Sequence, residues 1–214
     1  MRPLDDGGAM SQIALPLVWP ADPRDDEFLV TPSNAQAVHA LDHWATWPVM
    51  TSLLVGPRKS GRSLLGRIFA AKSGGAIIDD ASNRSEEDLF HAWNRAQGER
   101  RPLLLIVDAP PPAWHVQLPD LRSRLAATPV AEIGAPDDAL IRALFEREFA
   151  RRGLDARPDL LDWLVDRIER SHVAVIRSVD ALDQMVMERH KRLSIPLART
   201  TLAAAALIPS SPEP

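Results

Sequence analysis

The segment from Val49 to Ser63, Val-Met-Thr-Ser-Leu-Leu-Val-Gly-Pro-Arg-Lys-Ser-Gly-Arg-Ser, decides the fold. Its first part, residues 49–55, is short and apolar and is bounded by a proline and a glycine, which is typical of a strand buried on both faces. The second part has the spacing Gly-x-x-x-x-Gly-x-Ser, and a helix is expected to follow from about Ser63 to Ala71. A strand, a glycine-bearing loop and a helix in this order predict a phosphate-binding loop.

The residue types in this loop suit the chemistry of phosphate binding. Small residues let backbone N–H groups wrap a phosphate, the start of a helix brings partial positive charge, and a hydroxyl group can bind a metal ion. The residues expected to hold the phosphates are Gly56, Pro57, Ser60, Gly61, Arg62 and Ser63. Arg62 stands where such loops usually carry lysine, so a planar guanidinium replaces a compact ammonium. This pattern favours nucleotide binding over rapid hydrolysis, and an ordinary strand-to-helix turn is the alternative.

Two acidic sites could complete a magnesium site at the carboxyl edge of a sheet. Asp79 and Asp80 follow the short apolar run 76–78, and Asp108 follows residues 103–107, the clearest buried strand of the chain. An acid in either place can bind phosphate-bound magnesium, with Ser63 as a further ligand. It can equally cap a helix or open a turn. The residues alone leave this choice open.

The pattern outside the loop predicts an α/β part followed by an all-helical part. Strands alternate with helices up to a last strand at 129–133, which favours a parallel sheet covered by helices. Caps and early prolines then indicate four helices, at 137–151, 158–169, 171–190 and 195–207. The expected domains are a flexible tail at 1–20, a nucleotide-binding α/β core at 21–134, a helical domain at 135–208 and a disordered tail at 209–214.

Composition excludes several classes of protein. The 214 residues are 45% hydrophobic and 25% charged, which is globular and sufficient for a sizeable core. The formal net charge of −4 provides no positive field for nucleic acid or an anionic membrane. The chain has no cysteine, which rules out disulfides, cysteine-ligated metal and thiol catalysis. No apolar run reaches the roughly 20 residues that span a bilayer, so the cytoplasm is the expected location.

Two further motifs indicate protein partners. Gln12-Ile-Ala-Leu-Pro-Leu17 is an apolar, proline-bearing peptide that is expected to be extended, and Leu118-Pro-Asp-Leu-Arg-Ser-Arg-Leu125 places two arginines beyond the last strong strand. The alternatives are a tail folded back on its own core and a solvated helix with surface arginines. With the loop, these motifs make the chain resemble the DnaA-related AAA+ proteins, and most closely the Hda family of regulators that inactivate the replication initiator.

The resemblance implies a role for each motif. The fold would be a P-loop AAA+ core with a C-terminal all-helical lid. Arg124 would be an arginine finger that acts in trans, with Arg122 beside it. The lid of the family usually carries an arginine that senses the nucleotide, and Arg170 and Arg177 are the candidates. Arg177 is counted among the nucleotide-binding residues, but neither arginine aligns securely with the family's position. The tail would bind the sliding clamp through Gln12, Leu15, Pro16 and Leu17.

The resemblance also bears on the acidic residues. The family places its nucleotide-sensing strand just before the arginine block, which assigns residues 103–108 to that strand. Asp79 then becomes the expected magnesium ligand and Asp80 the catalytic acid. Asp79 follows Ser63 by only sixteen residues, whereas the family usually inserts another strand and helix there. The sheet can therefore be one strand short.

The function that this resemblance implies is regulation of replication initiation. The protein would bind the sliding clamp, the DNA polymerase III beta subunit, and stimulate ATP hydrolysis by DnaA. It would itself be a weak or inactive ATPase with ADP or ATP and magnesium as cofactors. DNA would be reached only through the clamp, with no membrane partner, and self-association is left open. Two alternatives are a P-loop ATPase that acts on its own and a degenerate, nucleotide-free interaction module.

Overall fold

A four-stranded parallel sheet forms the centre of the first part of the chain. The computed structural model describes residues 27–190 and 192–209. The strands are β1 (Thr51–Val55), β2 (Ala76–Ile78), β3 (Leu103–Ile106) and β4 (Val130–Glu132). Their order in the sheet is β2-β3-β1-β4, so β1 lies between two strands and β2 forms an edge. The prediction of an α/β core with a parallel sheet is confirmed.

Strand β1 is two residues shorter at its start than the apolar run predicts. The N–H group of Met50 donates to the side-chain oxygen of Gln97 at 2.9 Å instead of to a neighbouring strand. The sheet ladder therefore begins at Thr51, which lies opposite Leu103. From there to Val55 every residue of β1 is buried, as expected of a central strand in a parallel sheet.

Four helices cover the two faces of the sheet. They are α1 (Pro32–Asp42), α2 (Arg62–Ser73), α3 (Glu86–Glu99) and α4 (Pro119–Ala126). Because side chains alternate along a strand, Leu54 packs on the side of α1 and α2, and Leu53 packs on the side of α3 and α4. Only two glycines separate α2 from β2, so no strand or helix lies between them.

The second part of the chain is a separate bundle of four helices. These are α5 (Asp138–Arg151), α6 (Pro158–Val165), α7 (His172–Arg189) and α8 (Ile195–Ala204). Helix α6 ends at Val165, four residues before the predicted end. Ser171 has an extended backbone, and its side chain caps α7 by accepting the N–H of Ala174 at 3.1 Å. The bundle has its own apolar core around Phe145 and Phe149. None of the helices in the described ranges is long and apolar enough to cross a bilayer.

Asp137 joins the bundle to the sheet domain. One carboxylate oxygen accepts the N–H of Leu140 at 2.8 Å and caps α5, and the other accepts the N–H of Ser33 in α1 at 3.1 Å. Burial acts to raise the pKa of the Asp137 carboxyl, but these hydrogen bonds outweigh it and leave the pKa below its ordinary value. The carboxylate is therefore ionised at neutral pH and fixes the start of the bundle against α1.

Candidate functional site

The predicted phosphate-binding loop lies at the carboxyl end of β1 and leads directly into α2. Two of its residues have left-handed backbone conformations, Lys59 with a φ of 64° and Gly61 with a φ of 84°. Backbone conformations of this kind turn successive N–H groups toward one point, where they can hold an anion. Lys59 adopts this conformation although its side chain disfavours it. The loop therefore has a specific shape that the sequence around it maintains.

Both glycines of the motif are required by close packing as well as by backbone geometry. A Cβ atom on Gly56 would lie 2.9 Å from the Cβ of Ile133, just after β4. A Cβ atom on Gly61 would lie 3.0 Å from the ring of Phe28, which precedes α1. The loop is thus held between the end of β4 and the segment before α1.

Replacing Lys59 with glycine is expected to stabilise the protein. A side chain in the left-handed region costs about 1–2 kcal/mol, and the extra chain entropy of glycine offsets part of that cost. We expect the free energy of unfolding, measured with urea, to rise by about 0.5–1 kcal/mol. The matched control is Arg58→Gly, which should lower it, because Arg58 has no positive φ. A loss of stability in Lys59→Gly would contradict the observed loop geometry.

Arg62 lies along the end of β3 instead of over the loop. Its guanidinium donates to the carbonyl oxygen of Val107 and to the carboxylate of Asp108, the latter at 2.6 Å. The Arg62 side chain is 14% exposed and that of Asp108 is 76% exposed. The pair ties the first residue of α2 to the strand beside β1. Arg62 must release these bonds before it can contact a phosphate in the loop.

The predicted magnesium ligands Ser63 and Asp79 lie on two elements, at the start of α2 and directly after β2, and their role stays a prediction. Ser63 is exposed in the first turn of α2. The side chain of Asp79 accepts the N–H of Asp80 at 2.9 Å, and both carboxylate oxygens of Asp80 accept from the amide of Asn83 at 2.9 Å. Asp80 has a φ of 53°, so this acid opens a turn after β2. Within the described residues no group of three or more His, Cys, Asp or Glu could hold a metal ion.

A cavity of about 50 Å³ separates the loop from the helical bundle. Phe28, Ser60 and Gly61 form one side of it, and Arg147 and His172 form the other. Three buried side-chain atoms of this lining have no hydrogen-bond partner among the described residues: Ser60 Oγ, Arg147 Nε and His172 Nδ1. Buried polar atoms are normally paired. Three unpaired atoms around one cavity of this size indicate a place for ordered water or another small polar group.

Two residues of the cavity, Arg147 and His172, belong to no motif of the sequence. Burial lowers the pKa of the His172 imidazole, and the positive charge of Arg147 lowers it further. The ring is thus neutral at pH 7 and can both donate and accept a hydrogen bond. Arg147 continues the buried face of Leu140 and Leu144 along α5, and this spacing could have singled it out.

The two arginines considered as nucleotide sensors lie away from this cavity. Arg177 is exposed on α7 and is not part of the cavity wall. It follows His172 by five residues, which turns it to another side of the helix. Arg170 forms an ion pair with Asp138. The structure therefore does not bring Arg177 to the loop, and its role stays a prediction.

Arg124 packs against its own domain. Its guanidinium carbon lies 4.6 Å from the ring centroids of both Phe90 and Trp93 on α3, and the group donates to the side-chain oxygen of Asn94. The side chain is half-buried. Arg122, on the same helix, is exposed. Arg124 does not extend from the surface as a free finger, and its action in trans stays a prediction.

The predicted clamp-binding residues Gln12, Leu15, Pro16 and Leu17 lie outside the described residues. The structure brings together the loop, Arg62 and Asp108, and it places the first turn of α7 across the cavity. It leaves Asp79 and Asp80 in the turn after the edge strand.

Comparisons with known proteins agree with this arrangement. Residues 137–202 match the family model of the Hda lid domain. Domain III of the replication initiation protein DnaA from Thermotoga maritima superposes with a TM-score of 0.70 at 14% identity, over 89% of this chain and 100% of that one. AMPPCP-bound DnaA from Aquifex aeolicus superposes with a TM-score of 0.55 at 15% identity, over 78% of this chain and 66% of that one.

A curated relative matches part of the chain. An uncharacterized protein of Haemophilus influenzae is 27% identical over 115 residues, which are 53% of this chain and 50% of that protein. The chain therefore spans about half the length of this relative.

The fold is that of domain III of DnaA, with an α/β core followed by a helical bundle. Residues 137–202, about a third of the chain, are similar to the lid domain of Hda.

Proposed function

We propose that the protein regulates replication initiation by stimulating hydrolysis of the ATP that DnaA holds, while bound to the sliding clamp. The observation that carries this proposal is the Hda lid match at residues 137–202 on a DnaA-type fold. The partner in this scheme is nucleotide-bound DnaA, and the clamp is contacted by residues 12–17. DNA is reached through the clamp.

The loop and its surroundings fit a nucleotide, ADP or ATP with magnesium. The left-handed residues Lys59 and Gly61 and the start of α2 suit the phosphates, and Ser63 with Asp79 would supply the metal ligands. Arg62 would hold the phosphates after exchanging its bonds to Asp108 and to the carbonyl oxygen of Val107 for phosphate oxygens. The unpaired atoms of Ser60, Arg147 and His172 suit the polar groups of a base or ribose, but the small cavity requires the lid to move outward first.

Arg124 is proposed to act on the nucleotide of DnaA. Hydrolysis transfers the γ-phosphoryl group to water, and negative charge develops on its oxygens. A guanidinium held at the interface stabilises that charge without taking part in a covalent step. In this scheme Asn94 uses one N–H group of Arg124 and the rings of Phe90 and Trp93 cover its faces, so other N–H groups in the guanidinium plane are free for the phosphate.

A nucleotide-free interaction module is the second candidate, and one observation favours it. Arg62 is already paired with Asp108 and the carbonyl of Val107, and Phe28 packs on Gly61, so the loop is stable without phosphate contacts. An ATPase that acts on its own is the third candidate, with Ser63, Asp79 and Asp80 as its own metal-site residues.

Reconstitution with DnaA separates these functions. The assay contains DnaA loaded with labelled ATP, clamp on DNA, and this protein with or without ADP. The proposed function predicts faster release of phosphate only when all three proteins are present, and dependence on ADP. Equal stimulation without any nucleotide on this protein would favour the interaction module, and turnover by this protein alone would favour the independent ATPase.

A further inference from the structure

Within residues 27–190 and 192–209, no strand pairs with the outer side of the edge strand β2. The N–H of Ala76 donates to the carbonyl of Pro102 at 2.8 Å, so Ala76 hydrogen-bonds toward β3. Backbone groups alternate along a strand, and the N–H and C=O of Ile77 therefore point to the open side. Strand β2 carries no charged residue or proline, and its short length of three residues is its own protection against pairing with other chains. This edge is able to pair with a further strand.

An apolar groove of about 240 Å³ runs beside this edge, between β2 and α3. Its apolar lining is Ala76, Ile78, Ala92, Ala96 and Leu103. Arg95, Glu99 and Arg101 surround it, so the rim carries a net positive charge. The groove lies on the same face of the sheet as α3 and is large enough for several aliphatic side chains.

We propose that residues 13–19 of this chain, which lie outside the described residues, add to β2 as a fifth strand and place their large side chains in this groove. The segment reads Ile-Ala-Leu-Pro-Leu-Val-Trp, with the large apolar residues Ile13, Leu15, Leu17 and Trp19 at every second position. In a strand these four side chains point to one face. In the proposed pairing, this face of the added strand lies on the same side of the sheet as the side chains of Ala76 and Ile78.

The proline in the segment selects the same register independently. If the odd-numbered side chains share the face of Ala76 and Ile78, the even-numbered residues lie beside Ile77. The segment is proposed to run parallel to β2, which places Trp19 at the carboxyl edge of the sheet on the side of Phe28. In a parallel pair Ile77 hydrogen-bonds to the two neighbours of the residue beside it, which are odd-numbered, so the N atom of Pro16 faces solvent, where no donor is needed. The opposite register would require Pro16 to donate to Ile77 and would turn the large side chains away from the groove.

The length and charge of the connection favour this segment over a second copy of the chain. Phe28 contacts Gly61 at the carboxyl end of β1. A strand outside β2 lies three strand spacings from β1, about 14 Å, and the eight steps from Trp19 to Glu27 span up to about 26 Å. The connection carries Asp22, Asp25 and Asp26 and one arginine, Arg24, so its net charge of −2 is opposite in sign to that of the rim of the groove. A tethered segment also has a high effective concentration.

The added strand has a regulatory consequence, which rests on the proposed function. The docked segment includes Leu15, Pro16 and Leu17, the residues proposed to bind the clamp. One segment cannot occupy the groove and the clamp at once. Docking therefore withholds the peptide from the clamp until the clamp competes for it, and clamp binding exposes the edge of β2.

Cysteine crosslinking in the full chain tests the docking, because the natural sequence has no cysteine. The variant Ala14→Cys with Ile77→Cys, whose side chains share one face of the sheet in the docked register, is treated with a short bismaleimide. The control pairs Ala14→Cys with Met187→Cys, which is 66% exposed on the lid. We expect the first pair to crosslink within one chain about tenfold faster than the control, since tethering in a docked state raises effective concentration. Added clamp should slow this reaction.

Hydrogen exchange at the Ile77 amide provides the second measurement. Pairing should slow this exchange, and Leu15→Asp with Leu17→Asp should speed it by about tenfold through loss of the docked strand. Equal crosslinking in both pairs, an unchanged Ile77 exchange rate, or crosslinks only between two chains would each overturn the proposal. If the segment docks in the full chain but the isolated peptide does not bind the clamp, the clamp assignment is wrong and the docking proposal stands.

Discussion

Arg124→Ala is expected to remove the stimulated ATP hydrolysis of DnaA at saturating protein and to return the rate to that of DnaA alone, a loss of at least about tenfold, because an arginine finger stabilises the charge of the transition state. The loss should appear in the maximal rate, because the guanidinium contacts charge that develops during phosphoryl transfer. Phosphate release from labelled ATP on DnaA, with clamp and DNA present, measures it. Binding of the variant to the clamp should be unchanged.

Two further variants sharpen this prediction. Arg122→Ala removes an exposed arginine from the same helix and should retain most of the stimulation. Trp93→Leu keeps Arg124 but removes one of the rings that stack on it, and should reduce the maximal rate less than Arg124→Ala does. If Arg124→Ala retained full stimulation, Arg124 would be a structural residue of α4, in line with its packing on α3.

Leu15→Ala with Leu17→Ala is expected to abolish detectable binding to the sliding clamp. Each leucine buries its side chain in an apolar groove of the partner, and truncating both removes at least about 3 kcal/mol, or about a hundredfold in affinity. Surface plasmon resonance with immobilised clamp measures the full chain and a peptide of residues 10–20. Val18→Ala, outside the motif, is the matched control and should bind nearly as the natural chain does.

The peptide and the full chain separate two explanations of this result. In the peptide only clamp contacts can be lost, whereas in the full chain the same variant also releases the segment from β2. The natural peptide should therefore bind the clamp more tightly than the full chain. Unchanged clamp binding by the double variant would show that residues 12–17 are not the clamp-binding peptide.

The sequence predicts the elements of this protein because their signals are local. The buried run before Gly56, the spacing of the loop and the caps at Asp137 and Ser171 each depend on neighbouring residues, and β1, α2, α5 and α7 lie where these signals place them. Helix ends are predicted less well. Helix α8 ends at Ala204 because Ala206 has a left-handed backbone, with a φ of 54°. The sequence has no glycine there that would predict this turn.

The arrangement of side chains in the site depends on contacts between distant residues, and local signals do not contain it. Arg62 has the charge of a phosphate ligand, but only the sheet order brings Asp108 within 2.6 Å of it. The cavity lined by Ser60 and His172 exists because the lid folds back over the loop. Arg124 matches a motif, yet its two aromatic neighbours come from α3, some thirty positions earlier in the chain.

Stimulation of DnaA is the central claim, and its most direct test is single-turnover release of phosphate from DnaA loaded with labelled ATP. The rate is measured with clamp on DNA and this protein bound to ADP, and again with each component omitted in turn. We predict that the complete mixture raises the rate at least about tenfold and that every omission returns it to that of DnaA alone. A rate that stays at the DnaA level in the complete mixture would contradict the account.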